Sequence, residues 1–238
     1  MTSSYLPTFI HYPKPLIRHD TMKVIIMGST GMIGQAVLIE CLEDNSIEEV
    51  LVINRRETKP TNSKVKEIVH HDFYDFSSAQ EELKGFDACF FCLGVSSAGM
   101  KEEQYRKLTY DLTMSFAKVL AQASPECTFI YVSGSGTDST EKGRSMWARV
   151  KGKTENDLLA LFKNAYMFRP GYIQPMKGIK SRTPLYNTLY IFFKPLYFLL
   201  KPFKGFVTDS VSLSRAMINV VQKGYEKRLI ESRDINVL

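Results

Sequence analysis

The stretch Lys23-Val24-Ile25-Ile26-Met27-Gly28-Ser29-Thr30-Gly31-Met32-Ile33-Gly34 decides the fold. After Lys23, Val24-Ile25-Ile26-Met27 form an apolar, largely β-branched run that reads as a buried strand, and from Met32 the pattern MIGQAVLIECLED turns helical. Gly28 and Gly31 lie between them, and Gly34 continues the spacing of three into the first helical turn. Glycine lets the chain bend sharply and lets backbone approach a ligand, and the first amides of the following helix point at an anion. Gly28 to Gly34, with Ser29, Thr30, Met32 and Ile33 between the glycines, therefore predicts a pyrophosphate seat and dinucleotide binding.

Outward from this turn, short apolar runs alternate with longer helical patterns. VLVINRR is followed by a polar loop, VKEIVHHD by SSAQEELKG, DACFFCLG by a long helix over 102–123, and CTFIYVSG by a helix over 145–162 that leads to AYMFRPGYI. Strands that read apolar throughout and alternate with helices imply a parallel sheet covered on both faces, a doubly wound α/β domain. After about Ile173 the alternation stops. PLYNTLYIFFKPLYFLLKPFKGF brings aromatics, lysines and prolines, then a polar-capped helix over DSVSLSRAMINVVQKG and a short tail, RLIESRDINVL, complete the sequence.

Strand two ends in Asn54-Arg55-Arg56, where an NAD-selective site would carry a carboxylate for the ribose 2′-hydroxyl. Guanidinium groups form paired bonds with phosphate oxygens, so Arg55 and Arg56 favour NADP(H) over NAD(H). Asp72 stands where a third strand would offer an acceptor to the adenine amino group. His70 and His71 beside it point to opposite faces of a strand, and no metal site is expected.

Composition adds limits. The 238 residues suit one large domain, and 31 basic against 25 acidic residues give a net charge of +6, which suits an anionic ligand. The basic residues form no recognised nucleic-acid module, so nucleic acid is not an expected partner. The four cysteines, Cys41, Cys89, Cys92 and Cys127, lie in apolar runs with no signal peptide before them, which suggests a reducing, cytoplasmic setting. Cys89 and Cys92 form a C-x-x-C inside a strand, where they would point to opposite faces and serve packing. Residues 1–21 carry three prolines and no periodicity and read as a loosely held extension to a single domain over 22–238.

GSTGMIG, the Asn54-Arg55-Arg56 strand end, Asp72, FFCLG, VSGSG with a Lys-bearing helix after it, and Arg169-Pro170-Gly171 together resemble the short-chain dehydrogenase/reductase superfamily. The glycine spacing and the RPG are similar to its extended and atypical branches, nearest to the Tat-interacting-protein-like, NAD-dependent-epimerase-like group. The likeness runs from Met22 to about Ile173 and returns more weakly at SLSRAMINVV. It implies a Rossmann sheet with a small C-terminal substrate lobe over 174–208, and cofactor contacts from Leu93, Gly94, Pro170 and Gly171.

In that superfamily a Tyr four residues before a Lys moves the substrate proton, and the Lys holds the nicotinamide ribose. Lys151 matches the Lys, with Gly152 and Glu155 in the flanking pattern, but Trp147 stands at the Tyr position, and an indole N–H has no acid–base function near neutral pH. The usual Ser falls on or next to Gly134, flanked by Ser133 and Ser135, and the usual Asn is replaced by the region of Tyr110 and Asp111. The resemblance therefore assigns catalysis to Lys151, with Ser133 or Ser135 and a proton from Tyr172, Tyr110 or water. Tyr172 ranks first because it follows the sixth strand at the ligand-binding end of the sheet.

Residues 184–206 split at Lys194-Pro195 and are too short in apolar run to span a bilayer. A lid or substrate lobe is favoured for them; a homodimer contact and peripheral membrane contact are the alternatives. Two functions follow. One is an NADP(H)-dependent oxidoreductase or epimerase-like enzyme acting on a small, hydrophobic carbonyl or alcohol substrate. The other is a dinucleotide-binding regulatory or redox-sensing protein without turnover.

Overall fold

The computed structural model describes residues 21–179 and 205–238. Seven strands form one parallel sheet in the order β3-β2-β1-β4-β5-β6-β9, with β1 Met22–Met27, β2 Ile47–Asn54, β3 Val65–Val69, β4 Ala88–Phe91, β5 Thr128–Val132, β6 Ala165–Arg169 and β9 Leu229–Glu231. A second, two-stranded parallel sheet pairs β7 Tyr172–Gln174 with β8 Val207–Asp209. This is the Rossmann arrangement expected from the alternation of apolar runs and helices. Its strand order reverses beside β1, so the crevice for a ligand opens at the carboxyl ends of β1 and β4.

Successive residues of β1 feed opposite cores, as the two-residue period of a strand requires. Ile25 and Met27 join Phe91, Phe116, Phe129 and Phe162 on the face covered by α3 Leu112–Ala123 and α4 Met146–Leu161. Val24 and Ile26 join Val37, Phe90, Leu213 and Met217 on the face covered by α1 Met32–Glu43 and α5 Ser210–Lys223. Cys89 belongs to the first cluster and Cys92 packs on the second, so the C-x-x-C straddles the sheet, and all four cysteines are free. Asp209 caps α5 by accepting from the amides of Val211 (3.0 Å) and Ser212 (2.8 Å).

Three elements differ from the sequence reading. SSAQEELKG forms two 3-10 turns, Ser77–Ala79 and Glu81–Leu83, instead of a helix, and Gly85 in the left-handed region ends the run. The segment over 102–123 is α2 Glu102–Arg106, a π turn Lys107–Asp111 and α3, so one extra residue shifts the helical face in mid-course. The C-terminal tail is no tail: Leu229–Glu231 adds the edge strand β9, and α6 Ser232–Ile235 follows behind a capping box of Glu231 and Asp234.

Residues 1–20 and 180–204 lie outside the described residues, and with them nearly all of the expected N-terminal extension and of the 184–206 segment. Among the described residues no helix is long and apolar enough to cross a membrane.

Candidate functional site

The glycine turn is built by close approach. Gly28 has φ +84°, Gly31 N donates to Gly28 O at 2.9 Å, and a Cβ built on Gly34 would stand 2.1 Å from that same carbonyl oxygen. Only hydrogen fits at position 34, and only glycine takes the Gly28 conformation without strain. Gly31 is the N-cap of α1 and supplies no capping side chain, and the first turn of α1 carries no acid. The amides at the start of α1 are thus left for an outside anion. Gln35 Nε2 ties the turn by donating to Thr30 O at 2.9 Å, while Met32 and Ile33 pack on the α1 face of the sheet.

A cleft of about 700 Å³ opens beside this turn, lined by Gly28, Thr30, Asn54, Arg55, Arg56, Leu93 and Gly94 of the expected cofactor residues. Its size suits a small-molecule cofactor. Phe73, Thr58, Leu108 and Leu112 complete much of its wall, and none of them was singled out by sequence reading. Leu108 lies in the π turn. The guanidinium of Arg55 sits 4.7 Å from the centre of the Phe73 ring, a cation–π contact at the cleft wall.

Ser29 lies behind this surface, bonded to the largely buried Asn54 of the cleft wall. Ser29 Oγ donates to Asn54 Oδ1 at 3.0 Å, and Asn54 Nδ2 donates to Glu67 Oε1 at 2.8 Å. Asp72 is exposed and does not line the cleft; its carboxylate accepts from the amide of Tyr74 at 2.8 Å, and its neighbour Phe73 points inward in its stead. His70 packs parallel to Phe76 at 4.5 Å, with Nε2 2.7 Å from Asp75 O.

A second group forms at the ends of β5 and β6. Lys151 Nζ donates to Ser133 O. Burial pushes the Lys151 ammonium down to about 8, with the charge of Glu155 opposing the shift. The Ser133 hydroxyl is buried and lies 2.5 Å from Glu155 Oε1 and 3.1 Å from Phe168 O, so it is held by the interior. Glu155 in turn meets Arg169, whose Nε lies 3.0 and 3.2 Å from its two oxygens, with an Nη2 bond beside them. Arg169 also reaches Ser139 Oγ at 2.6 Å and Glu231 at 3.4 Å, fastening the loop after β5 and the edge strand to one guanidinium. Ser135 is exposed, with its amide bonded to Pro170 O at 2.8 Å.

Trp147 turns its ring to the same loop: its nearest ring carbon is 3.5 Å from where a Cβ on Gly136 would stand. The tyrosines considered as proton sources are both tied. Tyr172 Oη donates to Gln174 Oε1 at 2.9 Å, and Tyr110 Oη donates to Asp157 Oδ2 at 2.5 Å. Burial and the Asp157 carboxylate both push the Tyr110 phenol up. Gly171 serves packing, since a Cβ there would stand 2.3 Å from Phe206 O. Among the described residues no group of three or more His, Cys, Asp or Glu is placed to hold a metal ion.

Comparison with known proteins places these features. Residues 24–144 match the model of the NAD dependent epimerase/dehydratase family. The chain is 32% identical over 167 residues, 67% of its length and 72% of the relative's, to "Protein FMP52, mitochondrial" of Debaryomyces hansenii. It is 25% identical over 230 residues, 91% of its length and 98% of the relative's, to "Protein FMP52-1, mitochondrial" of Scheffersomyces stipitis. Among solved structures it resembles the Bordetella bronchiseptica enzyme WbmF in complex with NAD+, with TM-score 0.65 and 14% identity over 91% of this chain and 77% of that one, a likeness of fold.

The cytoplasmic setting expected from the cysteines does not stand against these relatives, which are named as mitochondrial proteins. Free, buried thiols are equally at home in any reducing compartment. The glycine turn with its bare helix start explains physically what the family match states: the chain belongs to the NAD dependent epimerase/dehydratase family and is an atypical short-chain-dehydrogenase-like, NAD(P)-binding Rossmann protein.

Proposed function

We propose that the chain is an NADP(H)-preferring oxidoreductase or epimerase-like enzyme. The observation that carries the preference is the pair Arg55 and Arg56 at the wall of the cleft, which form no ion pair among the described residues. Two guanidinium groups without a carboxylate partner, beside a turn suited to a pyrophosphate, favour a ligand with a further phosphate. A bound nicotinamide coenzyme would supply or accept hydride at a carbonyl or alcohol carbon. Lys151, held on Ser133 O at the carboxyl end of β5, is assigned to the nicotinamide ribose, and Ser135 is the exposed hydroxyl of its group. The aromatic run PLYNTLYIFFKPLYFLLKPF favours a hydrophobic substrate on sequence grounds. The names of the relatives support a mitochondrial place of action.

A second reading, dinucleotide binding without turnover, draws on Trp147 at the position of the usual proton donor and on the tethered hydroxyls of Tyr110 and Tyr172. Trp147 is the one tryptophan of the chain, so its emission reports on this site alone. Titration with NADPH and with NADH, followed by Trp147 quenching, tests the cofactor. NADPH is expected to bind about tenfold or more tightly, and Arg55→Ala with Arg56→Ala should remove that margin. Equal affinities would overturn the preference. Loss of NADPH absorbance with hydrophobic aldehydes or ketones would support turnover. Binding with no oxidation across such a panel, and none in Trp147→Tyr, would favour the second reading.

A further inference from the structure

Glu67 projects from β3 toward the end of β2 and takes up the donors of the loop that carries the arginines. Its Oε1 accepts from Asn54 Nδ2 (2.8 Å), Thr58 Oγ1 (2.7 Å) and Thr58 N (3.0 Å), and its Oε2 accepts from Thr58 N (3.0 Å) and Lys59 N (3.3 Å). Lys59 has φ +54°, so the chain curls around the carboxylate in a conformation that points successive amides at one anion. Burial would raise the Glu67 carboxyl, but the hydrogen bonds from Thr58, Asn54 and Lys59 outweigh it and hold the group below the usual carboxylate range.

A carboxylate has about four lone-pair sites, and these are filled here by side chains and amides of the chain itself. Glu67 is therefore unavailable to Arg55 or Arg56 as an ion-pair partner, and unavailable to a ribose hydroxyl as an acceptor. Asn54 links the same carboxylate to Ser29 in the glycine turn, so one line of contacts runs from the pyrophosphate seat to the arginine loop. With Thr58 anchored, Arg55 lies across Phe73 and Arg56 stays at the cleft wall.

We propose that Glu67 is a positioning residue for coenzyme choice: it folds the 54–59 loop so that Arg55 and Arg56 stand unpaired at the cleft, set for a 2′-phosphate. The inference rests on the NADP(H) reading above and adds the residue that makes the preference possible. An acidic residue near a phosphate site would ordinarily repel it; here the carboxylate stays ionised, but its oxygens are turned to the loop that holds the two cations and do not line the cleft.

The test is the ratio of NADH to NADPH dissociation constants in the wild-type chain, Glu67→Ala and Glu67→Gln, with thermal unfolding as a check on folding. Glu67→Ala is expected to weaken NADPH about tenfold and to change NADH less than about twofold, while Glu67→Gln, which keeps one acceptor for Asn54 and Thr58, recovers part of the loss. A merely structural role would weaken both coenzymes alike, and that result would overturn the proposal. Tighter NADPH binding in either variant would overturn it too, since it would make Glu67 a repelling group. A wild-type ratio near one refutes the NADP(H) reading and this proposal together, whereas a preserved wild-type preference that survives Glu67→Ala refutes this proposal alone. Should Glu67→Ala fail to fold, Thr58→Val, which removes one donor to the carboxylate, must lower the ratio in the same direction.

Discussion

The carbonyl oxygen of Asp138 stands 1.8 Å from where a Cβ on Gly152 would be built. The loop leaving β5 is thus pressed against α4 one residue beyond Lys151, and Asp138 N secures it by donating to Ala148 O at 3.1 Å. Gly152 is a glycine because backbone occupies the space of its side chain.

Gly152→Ala must push the loop or the helix aside. Overpacking of this kind costs about 1–3 kcal/mol, which for a chain of this size lowers the melting temperature by several degrees. Since the Trp147 ring packs against Gly136 of the same loop, its emission should shift to the red in the variant. An unchanged spectrum and melting temperature would show that the contact is not tight in solution.

Gly34→Ala and Gly94→Ala form a contrasting pair. The first places a methyl 2.1 Å from Gly28 O, and the second meets nothing within 4 Å. Gly34→Ala should abolish measurable coenzyme binding by calorimetry, whereas Gly94→Ala should keep the fold intact by circular dichroism. Retained binding in Gly34→Ala would disconnect the turn from the coenzyme.

Glu155 is fully buried, and its charge is balanced by Arg169. Arg169→Met leaves that carboxylate without its cation and should destabilise the protein by about 3–5 kcal/mol in urea unfolding. Combining it with Glu155→Gln removes the stranded charge, and most of the loss should return. If the double variant is no better than the single one, packing and not charge dominates at this place.

Lys151 gives a pH signature. Its ammonium is disfavoured in the folded state, about 8 against the ordinary 10.5, so the unfolded chain holds more protons between those values. Stability relative to a neutral side chain is therefore lowest below pH 8 and recovers as pH rises toward 10.5. Lys151→Met should be more stable than the wild type at pH 7, and the gap should shrink at pH 9 and 10. A gap independent of pH would mean that the ammonium is as well solvated folded as unfolded.

The sheet and the glycine turn were legible because their signals are local: a short apolar run makes a strand, and three glycines at fixed spacing, which alone could be a tight turn, gain their meaning from the strand before and the helix after. The helix carrying Lys151 was legible for the same reason. The edge strand was not, since Leu229–Glu231 is three residues long and opens onto the polar Ser232-Arg233-Asp234. Nor was the π turn, where a single added residue leaves the composition of LTYDLT unchanged. Asp72 and Phe73 show the limit of strand logic: past the end of β3 the alternation no longer holds, and the ring rather than the carboxylate entered the cleft. Ser133 was found as a residue, but the buried Glu155, twenty-two positions on, and the carbonyl of Phe168 fix which way its hydroxyl turns.

Arg169 and Glu231 are neighbours across β6 and β9 yet 62 positions apart along the chain. Bringing them together closes a long loop, and unlike the comparably distant pairing of β1 with β4 it joins an edge strand that has a neighbour on one side alone, so this margin should dock late during folding and be first to exchange its amide hydrogens with deuterium. Because the same guanidinium clasps Glu155, early opening of that margin would loosen the interior from its rim inward.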